Sequence, residues 1–278
     1  MVEPGLRLRI QRWEVRPAIW PRGLTLRIVA LADLHAGGPH IPLSRIARIV
    51  EAANALEGDT GVLLGDYRAS HSFVLDRTPP RRAARALARF KARAGVFAVL
   101  GNHDWWDDMA EQRDRRGRCR WWDELEDAGL AVLHNTVAPA SVDGRRVWIA
   151  GLGDQLAYRP FWHVAQGRVL PAGGLDDLAQ VSAATPDDGA PAILLAHEPD
   201  IFPLAPPRFA VTLAGHTHGG QVRLFGWSPI VPSAFGARYA YGHIREDGRD
   251  LMVSAGLGCS IAPVRLGMPP EITVIDLS

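Results

Sequence analysis

The chain has 278 residues, of which 47% are hydrophobic and 22% are charged, a balance typical of a globular protein. Its formal net charge of +1 excludes any overall electrostatic argument for a nucleic-acid or acidic partner. The two cysteines, Cys119 and Cys259, cannot form a disulfide framework, and neither belongs to a CxxC pair. The composition is therefore compatible with a reducing compartment.

Residues 1–20 alternate charged and apolar side chains and lack the unbroken apolar core of a signal peptide. No stretch of the chain approaches the roughly 20 apolar residues of a membrane span. The sequence therefore predicts a cytoplasmic protein, with peripheral contact at a membrane as the alternative. Residues 1–278 are expected to form a single domain, and nothing in them indicates an oligomeric state.

The first part of the chain predicts strands that alternate with helices. Leu6 to Val15 alternates apolar and charged residues, as an edge strand does. Leu24 to Leu31 predicts a more buried strand, residues 43–57 keep helical spacing, and Thr60 to Leu64 predicts another buried strand. This order is a βαβ unit, and Gly65-Asp66 ends its second strand.

A second helix is predicted from about Arg81 to Ala94, with a basic face. The arginines of this face are Arg82, Arg85, Arg89 and Arg93. Such a stripe is able to contact phosphates or anionic lipid, but a charge run on a helix is more often a solvated face. We favour the solvated face.

The stretch Gly101-Asn102-His103-Asp104 follows Gly95 to Leu100, an apolar run that predicts a buried strand. Open α/β sheets bind their ligands where such strands end. An amide oxygen suits a hard cation, an imidazole suits proton transfer, and an adjacent carboxylate can hold the imidazole in one tautomer. Taken alone, four such residues are more often a polar turn before a helix.

Other predicted strands end in the same kind of residue. Asp33 and His35 follow the strand at Leu24 to Leu31, and residues two apart share one side of an extended chain. An apolar run at 192–196 ends at His197, and another at 209–213 ends at Gly215-His216-Thr217-His218-Gly219-Gly220. The glycines let the backbone turn closely around a bound group.

Between these motifs the pattern is less regular. Asp107 to Arg120 predicts a loop or irregular helix, Trp121 to Gly129 a short helix, and Leu130 to Leu133 a strand. Asp143-Gly144 predicts a hairpin turn. Four tryptophans are expected to pack in or beside the core rather than to stack on bases: Trp105, Trp106, Trp121 and Trp122.

Seven oxygen and nitrogen ligands lie at or just beyond predicted strand ends: Asp33, His35, Asp66, Asn102, His197, His216 and His218. Seven exceed what one tetrahedral zinc ion takes and suit two divalent ions about 3.5–4 Å apart. Thiolates are absent from the set, which argues against a structural zinc or iron–sulfur site. Manganese, iron and zinc all suit imidazole with carboxylate, so the sequence predicts two divalent ions without naming the metal.

The ordered series resembles the calcineurin-like metallophosphoesterases. It comprises Asp33-x-His35, Gly65-Asp66, Gly101-Asn102-His103-Asp104, His197 and Gly215-His216-x-His218, and it spans Ile28 to Val222. Residues 215–222, 256–258 and 263–272 are also similar to the bacterial YkuE/YaeI-like branch of phosphohydrolases. The resemblance implies an α/β fold, a four-layer α/β/β/α sandwich, with a dinuclear site at the strand ends.

The resemblance also implies a role for each residue. The first metal would be held by Asp33, His35 and His218, and the second by Asn102, His197 and His216, with Asp66 bridging. His103 would protonate the leaving oxygen or stabilise the transferred phosphoryl group, with Asp104 orienting it. This division agrees with general chemistry, because two cations polarise phosphoryl oxygens and lower the pKa of a bound water, which attacks phosphorus in line.

The sequence thus predicts a metal-dependent phosphoesterase that acts on a phosphomonoester, phosphodiester or pyrophosphate bond. The second motif continues as Tyr67-Arg68-Ala69-Ser70, where protein phosphatases of the superfamily carry an acidic residue and Arg-Gly, so a protein phosphatase is disfavoured. Two alternatives stay open. One is a nuclease or nucleotide phosphodiesterase that uses the basic helix, and the other is a non-catalytic scaffold, which would not need His103.

Two apolar segments without a clear period accompany these motifs, residues 156–170 and 224–236. Their large side chains are Tyr158, Phe161, Trp162 and His163 in the first, and Phe225, Trp227, Ile230, Val231 and Phe235 in the second. Inward packing explains both segments equally well. We hypothesise that they form an apolar rim for the leaving group, which predicts lipid-like or aryl phosphoesters as the better substrates.

Overall fold

The computed structural model describes residues 7–69, 71 and 73–278. The described strands are β1 Arg9–Val15, β2 Leu26–Leu31, β3 Gly37–Gly38, β4 Thr60–Leu64, β5 Asp76–Arg77, β6 Val96–Val99, β7 Ala131–Val132, β8 Thr136–Val142, β9 Arg145–Gly151, β10 Phe161–His163, β11 Arg168–Leu170, β12 Ala192–Leu195, β13 Phe209–Ala214, β14 Gly242–Glu246, β15 Arg249–Val253 and β16 Glu271–Leu277. The described α-helices are α1 Leu43–Asn54, α2 Pro80–Leu87, α3 Asn102–Trp106, α4 Met109–Asp114, α5 Arg120–Asp127 and α6 Leu178–Ala184. Short 3₁₀ helices lie at Val164–Gln166, Pro199–Leu204, His218–Gly220 and Gly236–Tyr239.

Two six-stranded mixed sheets form the centre of the protein. The first has the order β1-β16-β2-β4-β6-β7 and is parallel except between β16 and β2. The second has the order β14-β15-β13-β12-β9-β8 and is parallel from β15 to β9. In each sheet the central parallel strands therefore end at one edge, where α/β proteins place their ligands.

The inner faces of the two sheets pack against each other. Along β2, Ile28 and Ala30 belong to the hydrophobic cluster between the sheets, whereas Val29 and Leu31 belong to the cluster beneath the helices. This alternation follows from the two-residue period of a strand. The same cluster between the sheets contains Ile193 from the second sheet.

Helices cover both outer faces. Ile46 of α1, Leu87 of α2 and Leu125 of α5 pack in the cluster that covers the first sheet. Val181 of α6 and Ile201 of the 3₁₀ helix at Pro199–Leu204 pack in a separate cluster on the second sheet. The protein is therefore an α/β/β/α sandwich, and the expected fold class is confirmed.

Helix α2 is shorter than the sequence predicts, because it ends at Leu87 rather than near Ala94. The Asn54 side chain fastens the chain that follows, since its Oδ1 accepts the Lys91 N–H at 2.8 Å and its Nδ2 donates to the Arg89 carbonyl at 3.0 Å. Periodicity cannot reveal such a tertiary contact. The predicted basic face thereby loses two of its four arginines.

Several local predictions are confirmed. Among the strands that the structure describes, β1 pairs with β16 alone, at the sheet edge, while Leu6, the predicted start of this strand, lies outside the described residues. Asp143 and Gly144 both have positive φ, 48° and 76°, as a two-residue hairpin turn requires. Within the irregular stretch after Asp107, helix α4 forms because the Asp108 side chain accepts two N–H groups of its first turn.

The four tryptophans were expected to pack in or beside the core, and two of them are buried. Trp105 and Trp121 are buried in the helix-covered core, as expected for packing side chains.

In the described part of the chain, none of the helices combines the length and the apolar character needed to cross a bilayer.

Candidate metal centre

The structure brings all seven predicted ligands to the same edge of the two sheets. Two buried groups have ligand atoms within 4.8 Å of one another, and Asp66 belongs to both. The first group is Asp33, His35, Asp66 and His218, and the second is Asp66, His197 and His216. Asn102 joins the second, because its Oδ1 lies 3.1 Å from Nδ1 of His216.

The backbone at this edge adopts an uncommon conformation. Five of the seven residues have positive φ, namely Asp33 (50°), His35 (46°), Asp66 (56°), His216 (67°) and His218 (54°). Such values are unfavourable for residues other than glycine and concentrate at functional sites. The turns thus aim side chains from β2, β4 and β13 toward one point.

Glycines make the close approach of these turns possible. A Cβ on Gly101 would collide with the Asp66 carboxylate, and one on Gly65 would lie 2.8 Å from Nδ1 of His197. A Cβ on Gly215 would lie 2.7 Å from Oδ2 of Asp33. The three glycines are therefore required by space, and Gly65, with a φ of 88°, is required by conformation as well.

Two of the histidines have their outer nitrogen against a backbone carbonyl. Nδ1 of His35 lies 2.8 Å from the Arg68 carbonyl oxygen, and Nδ1 of His197 lies 2.6 Å from the Leu64 carbonyl oxygen. A carbonyl only accepts, so Nδ1 carries the proton in both rings and donates it. In the neutral form of each ring, the lone pair of Nε2 is left free to bind a cation.

Asp66 lies between the two groups. Its Oδ1 accepts the backbone N–H of His103 at 2.9 Å, which fixes the carboxylate. Its Oδ2 lies 3.6 Å from Nε2 of His35 and 3.3 Å from Nε2 of His197. One oxygen is therefore near a ligand from each group.

The donor set fits divalent cations. Oδ2 of Asp33 is buried and has no hydrogen-bond partner, and a buried unpaired carboxylate oxygen is costly unless a cation meets it. Burial lowers the pKa of His35 and of His216 to about 3, so both rings are neutral and can ligate.

The pKa values of Asp33 and His197 depend on the neighbouring charges as well as on burial. Burial raises the pKa of Asp33 to about 7, even though the charge of His197 opposes this shift. Burial alone would lower the pKa of His197, but the adjacent Asp66 carboxylate outweighs it and holds this pKa well above its usual range. A cation that binds here must therefore displace protons.

His103 lies beside the ligands at the mouth of the site. Its Nε2 lies 4.0 Å from Oδ2 of Asp66 and 3.5 Å from Oγ of Ser260, and its ring packs edge-on against Trp106. Burial lowers its pKa. The side chain is 18% exposed, so it can reach a bound molecule.

Asp104 has different partners from those expected. Its carboxylate accepts the backbone N–H groups of Gly101, Asp66, Tyr67 and Arg68 at 2.9 to 3.2 Å. Among the described contacts none joins it to the imidazole of His103, so the predicted orienting contact is absent. Asp104 instead ties the turn after β6 to the turn after β4.

A cleft of about 830 Å³ opens above the ligands and His103. Its walls are largely apolar and are formed by Trp106, Leu156, Val222, Pro229, Ile230, Pro232, Ile261, Ala262 and Val264, among others. Glu198 and Gln155 form a polar part of the wall.

The two apolar segments contribute unequally to this cleft. Of residues 156–170, Leu156 is the one that lines it, while Tyr158 is buried and donates to Oε1 of Glu111. The aromatic residues near 161–163 form the β10–β11 hairpin instead. From residues 224–236 the wall takes Pro229, Ile230, Pro232, Ser233 and Ala234. The other predicted rim residues do not line it: Phe225, Trp227, Val231 and Phe235.

No pattern in the sequence alone assigns a role to the loop between β15 and β16. This loop places Ser260 beside His103 and Ile261 in the cleft wall, and it carries Arg265, whose Nη2 lies 3.1 Å from Nδ1 of His218. One signal was present, because Arg265 is the single charged residue between Leu251 and Pro270.

Comparison with known proteins points in the same direction. The family model for calcineurin-like phosphoesterase matches residues 26–220, more than half of the chain. The "Uncharacterized metallophosphoesterase YkuE" of Bacillus subtilis is 26% identical over 95% of this chain and 83% of its own length. The "Phosphodiesterase YaeI" of Escherichia coli is 28% identical over 90% of this chain and 82% of its own length.

Animal relatives match as well. The zebrafish "Transmembrane protein with metallophosphoesterase domain" is 31% identical over 91% of this chain. This chain spans about half the length of that relative, 53%. The family match covers the chain from β2 to just beyond the His216-x-His218 pair, and the chain belongs to the calcineurin-like phosphoesterase family.

Proposed function

We propose that this protein is a dinuclear metal-dependent phosphoesterase that hydrolyses a phosphomonoester, phosphodiester or pyrophosphate bond. The observation that carries the proposal is the position of Asp66, which belongs to both buried ligand groups. Asp33, His35 and His218 would hold one ion, and Asn102, His197 and His216 the other, with Asp66 shared. Manganese, iron and zinc all suit this donor set.

Two divalent ions at this site would polarise the phosphoryl oxygens and lower the pKa of water, which makes a nucleophile available near neutral pH. The protein's own residues supply the rest. His103 is exposed to the cleft, and although burial lowers its pKa, the Asp66 charge beside it favours the protonated ring. This position suits a residue that protonates the leaving oxygen or stabilises the transferred phosphoryl group. The four backbone N–H groups bound by Asp104 hold the motif turns in register, so we assign Asp104 a positioning role.

The cleft favours an apolar leaving group. Its walls near His103 are Trp106, Leu156, Ile230 and Ile261, and a small polar substrate would gain little from them. Burial of an alkyl chain adds about 0.8 kcal/mol per methylene. We therefore infer that lipid-like or aryl phosphoesters are better substrates than sugar phosphates or inorganic pyrophosphate. We also propose that residues 1–278 act as one domain.

The nuclease alternative has less support. The arginines of α2 do not line the cleft in the described structure, and Arg81 and Arg85 lie beside the acidic Glu124 and Asp127. A phosphate backbone would meet mixed charge at this helix.

A panel of phosphate monoesters, diesters and pyrophosphates, assayed with manganese, iron and zinc, tests the proposed reaction. We expect turnover with at least one ester, and its loss on chelation. Bound metal without turnover on any ester would contradict the proposal and support the scaffold alternative.

A series of alkyl phosphonates tests the substrate class separately. Inhibition constants should fall by about three- to fourfold per methylene, the equivalent of about 0.8 kcal/mol. Ile261→Ser should flatten this series, whereas the matched change Ile19→Ser, at an exposed site outside the cleft, should not. A flat series in the unchanged protein would contradict the apolar-substrate inference and leave the hydrolase proposal intact.

A further inference from the structure

Six apolar side chains project into solvent from two loops at the mouth of the cleft. We call them the apolar tips: Leu224, Phe225, Trp227, Ile230, Ile261 and Leu266. Phe225 is fully exposed, and Trp227 and Ile261 are 67% and 68% exposed. Exposed large apolar side chains are ordinary when scattered, but a group of them on adjacent loops marks a binding surface.

The two loops that carry the apolar tips are tied together. The Arg223 N–H donates to the Leu266 carbonyl at 2.7 Å, and Nε2 of Gln221 donates to the Ala262 carbonyl at 2.7 Å. Val222 also forms bridges with Leu266 and Gly267. The tips therefore belong to one continuous surface rather than to two independent loops.

The shape of the first loop suits insertion rather than flat contact. Leu224 and Trp227 exchange both backbone hydrogen bonds at 2.9 Å, so Phe225 and Gly226 form a two-residue turn with φ of 49° and 85°. Such a narrow turn projects individual side chains. It offers little flat area of the kind that a stable protein interface needs.

The charge of the surface fits a phospholipid bilayer. Residues 221–236 and 256–270 contain no aspartate or glutamate, so the two loops bring no carboxylate of their own to the lipid headgroups. The neighbouring Asp200 is already hydrogen-bonded, because its carboxylate accepts from the Ser233 hydroxyl and the Ala234 N–H. Arg223 is half-buried at the base of the turn, with its Nε donating to the Gly226 carbonyl. Tryptophan beside such a cation is suited to the interface between headgroups and acyl chains.

We propose that the apolar tips insert into the surface of a phospholipid bilayer and place the cleft mouth against it. Ile230 and Ile261 belong both to the tips and to the cleft wall, so the apolar surface runs unbroken from bilayer to cleft. An amphiphilic phosphoester would then enter the cleft without crossing water. The delivery of substrate to the cleft rests on the proposed phosphoesterase function. The membrane-binding surface itself rests only on the exposure of the apolar tips and on the charge of the two loops.

Sedimentation with vesicles tests this proposal. The unchanged protein should bind vesicles of phosphatidylcholine, and added phosphatidylglycerol should strengthen binding only modestly, because Arg223 is the cation at the tips. The double variant Phe225→Ser with Trp227→Ser should bind at least about tenfold more weakly than the unchanged protein, since two inserted aromatic side chains are lost. The control Ile19→Ser, exposed where β1 leads toward the start of β2, should bind like the unchanged protein.

The same samples separate this proposal from the proposed function. Neither aromatic side chain lines the cleft, so hydrolysis of a short soluble ester should be unchanged in the double variant, and circular dichroism should show an unchanged fold. Three results would overturn the inference: no vesicle binding by the unchanged protein, equal binding by the double variant, or self-association that the double variant abolishes. An inactive protein that still binds vesicles through these residues would instead remove only the phosphoesterase proposal.

Discussion

Nη2 of Arg265 donates to Nδ1 of the candidate ligand His218 at 3.1 Å, which leaves the proton of the neutral His218 ring on Nε2. The guanidinium is buried and also donates to the carbonyls of Ala255, Gly258 and Met268. This one side chain thereby joins the loop that carries Ser260 to a candidate ligand. His35 and His197 are held differently, by backbone carbonyls.

Arg265→Gln should strengthen metal binding at the site that contains His218, because the guanidinium keeps the proton of the neutral ring on Nε2, the nitrogen that faces the other ligands. Without that donor the proton can move to Nδ1, and we expect a gain of affinity of about tenfold, the equivalent of about 1.4 kcal/mol. Calorimetric titration with Mn²⁺ would measure it. The control is Arg249→Gln, because Arg249 likewise donates to three backbone carbonyls but contacts none of the seven residues. Equal metal affinity in the two variants would contradict this role of Arg265.

His103→Ala should separate chemistry from metal binding. The side chain lies at the cleft mouth and is not one of the ligands we assign, so metal content should stay near normal. Turnover should fall by about 10²–10⁴-fold, the range for a lost general acid. His163→Ala, on the β10–β11 hairpin, serves as the matched control. Normal turnover in the His103 variant would remove it from the mechanism.

Gly101→Ala should damage the site through space alone. Gly101 has a φ of −113°, which any residue can adopt, but an added Cβ would collide with the Asp66 carboxylate and lie 2.8 Å from Cε1 of His197. We expect lost metal binding together with a fall of about 1–3 kcal/mol in the free energy of unfolding. Gly173→Ala, where no atom lies within 4 Å of the added Cβ, should change neither. A Gly101 variant that binds metal normally would show that the turns are less rigid than this packing implies.

Metal affinity should rise with pH through about 7. Burial raises the pKa of Asp33 to about 7, so below this pH its carboxyl is protonated and a cation must displace the proton. His197, whose pKa is held well above its usual range by Asp66, adds a second proton to be released. Titrations with Mn²⁺ in buffers of different ionisation enthalpy measure both effects. Affinity that stays constant between about pH 6 and pH 8, without proton release, would contradict these protonation states.

The sequence predicted the parts of the site that depend on strand ends. Asp33 and His35 were identifiable because they are two residues apart at the end of an apolar run, and the structure brings them together. The clusters beneath and between the sheets follow the same two-residue period. These features are local, so a single sequence contains them.

The remainder depends on contacts between distant residues. Arg265 lies 47 residues from His218 along the chain, and no local sequence pattern predicts their contact. The end of α2 depends on Asn54, more than thirty residues before it. Asp104 was expected to face the neighbouring imidazole, but backbone N–H groups from another strand end satisfy it, and a sequence carries no record of which amides lie nearby.

Anomalous scattering from crystals of the Mn²⁺-loaded protein tests the central proposal most directly. We predict two peaks per chain, with the Asp66 carboxylate touching both ions and the other six residues divided between them. The ligand atoms already lie within 4.8 Å in each of two groups that share Asp66, so little rearrangement is needed. A single ion held by fewer than four of the seven residues, or ions that do not touch Asp66, would contradict the account.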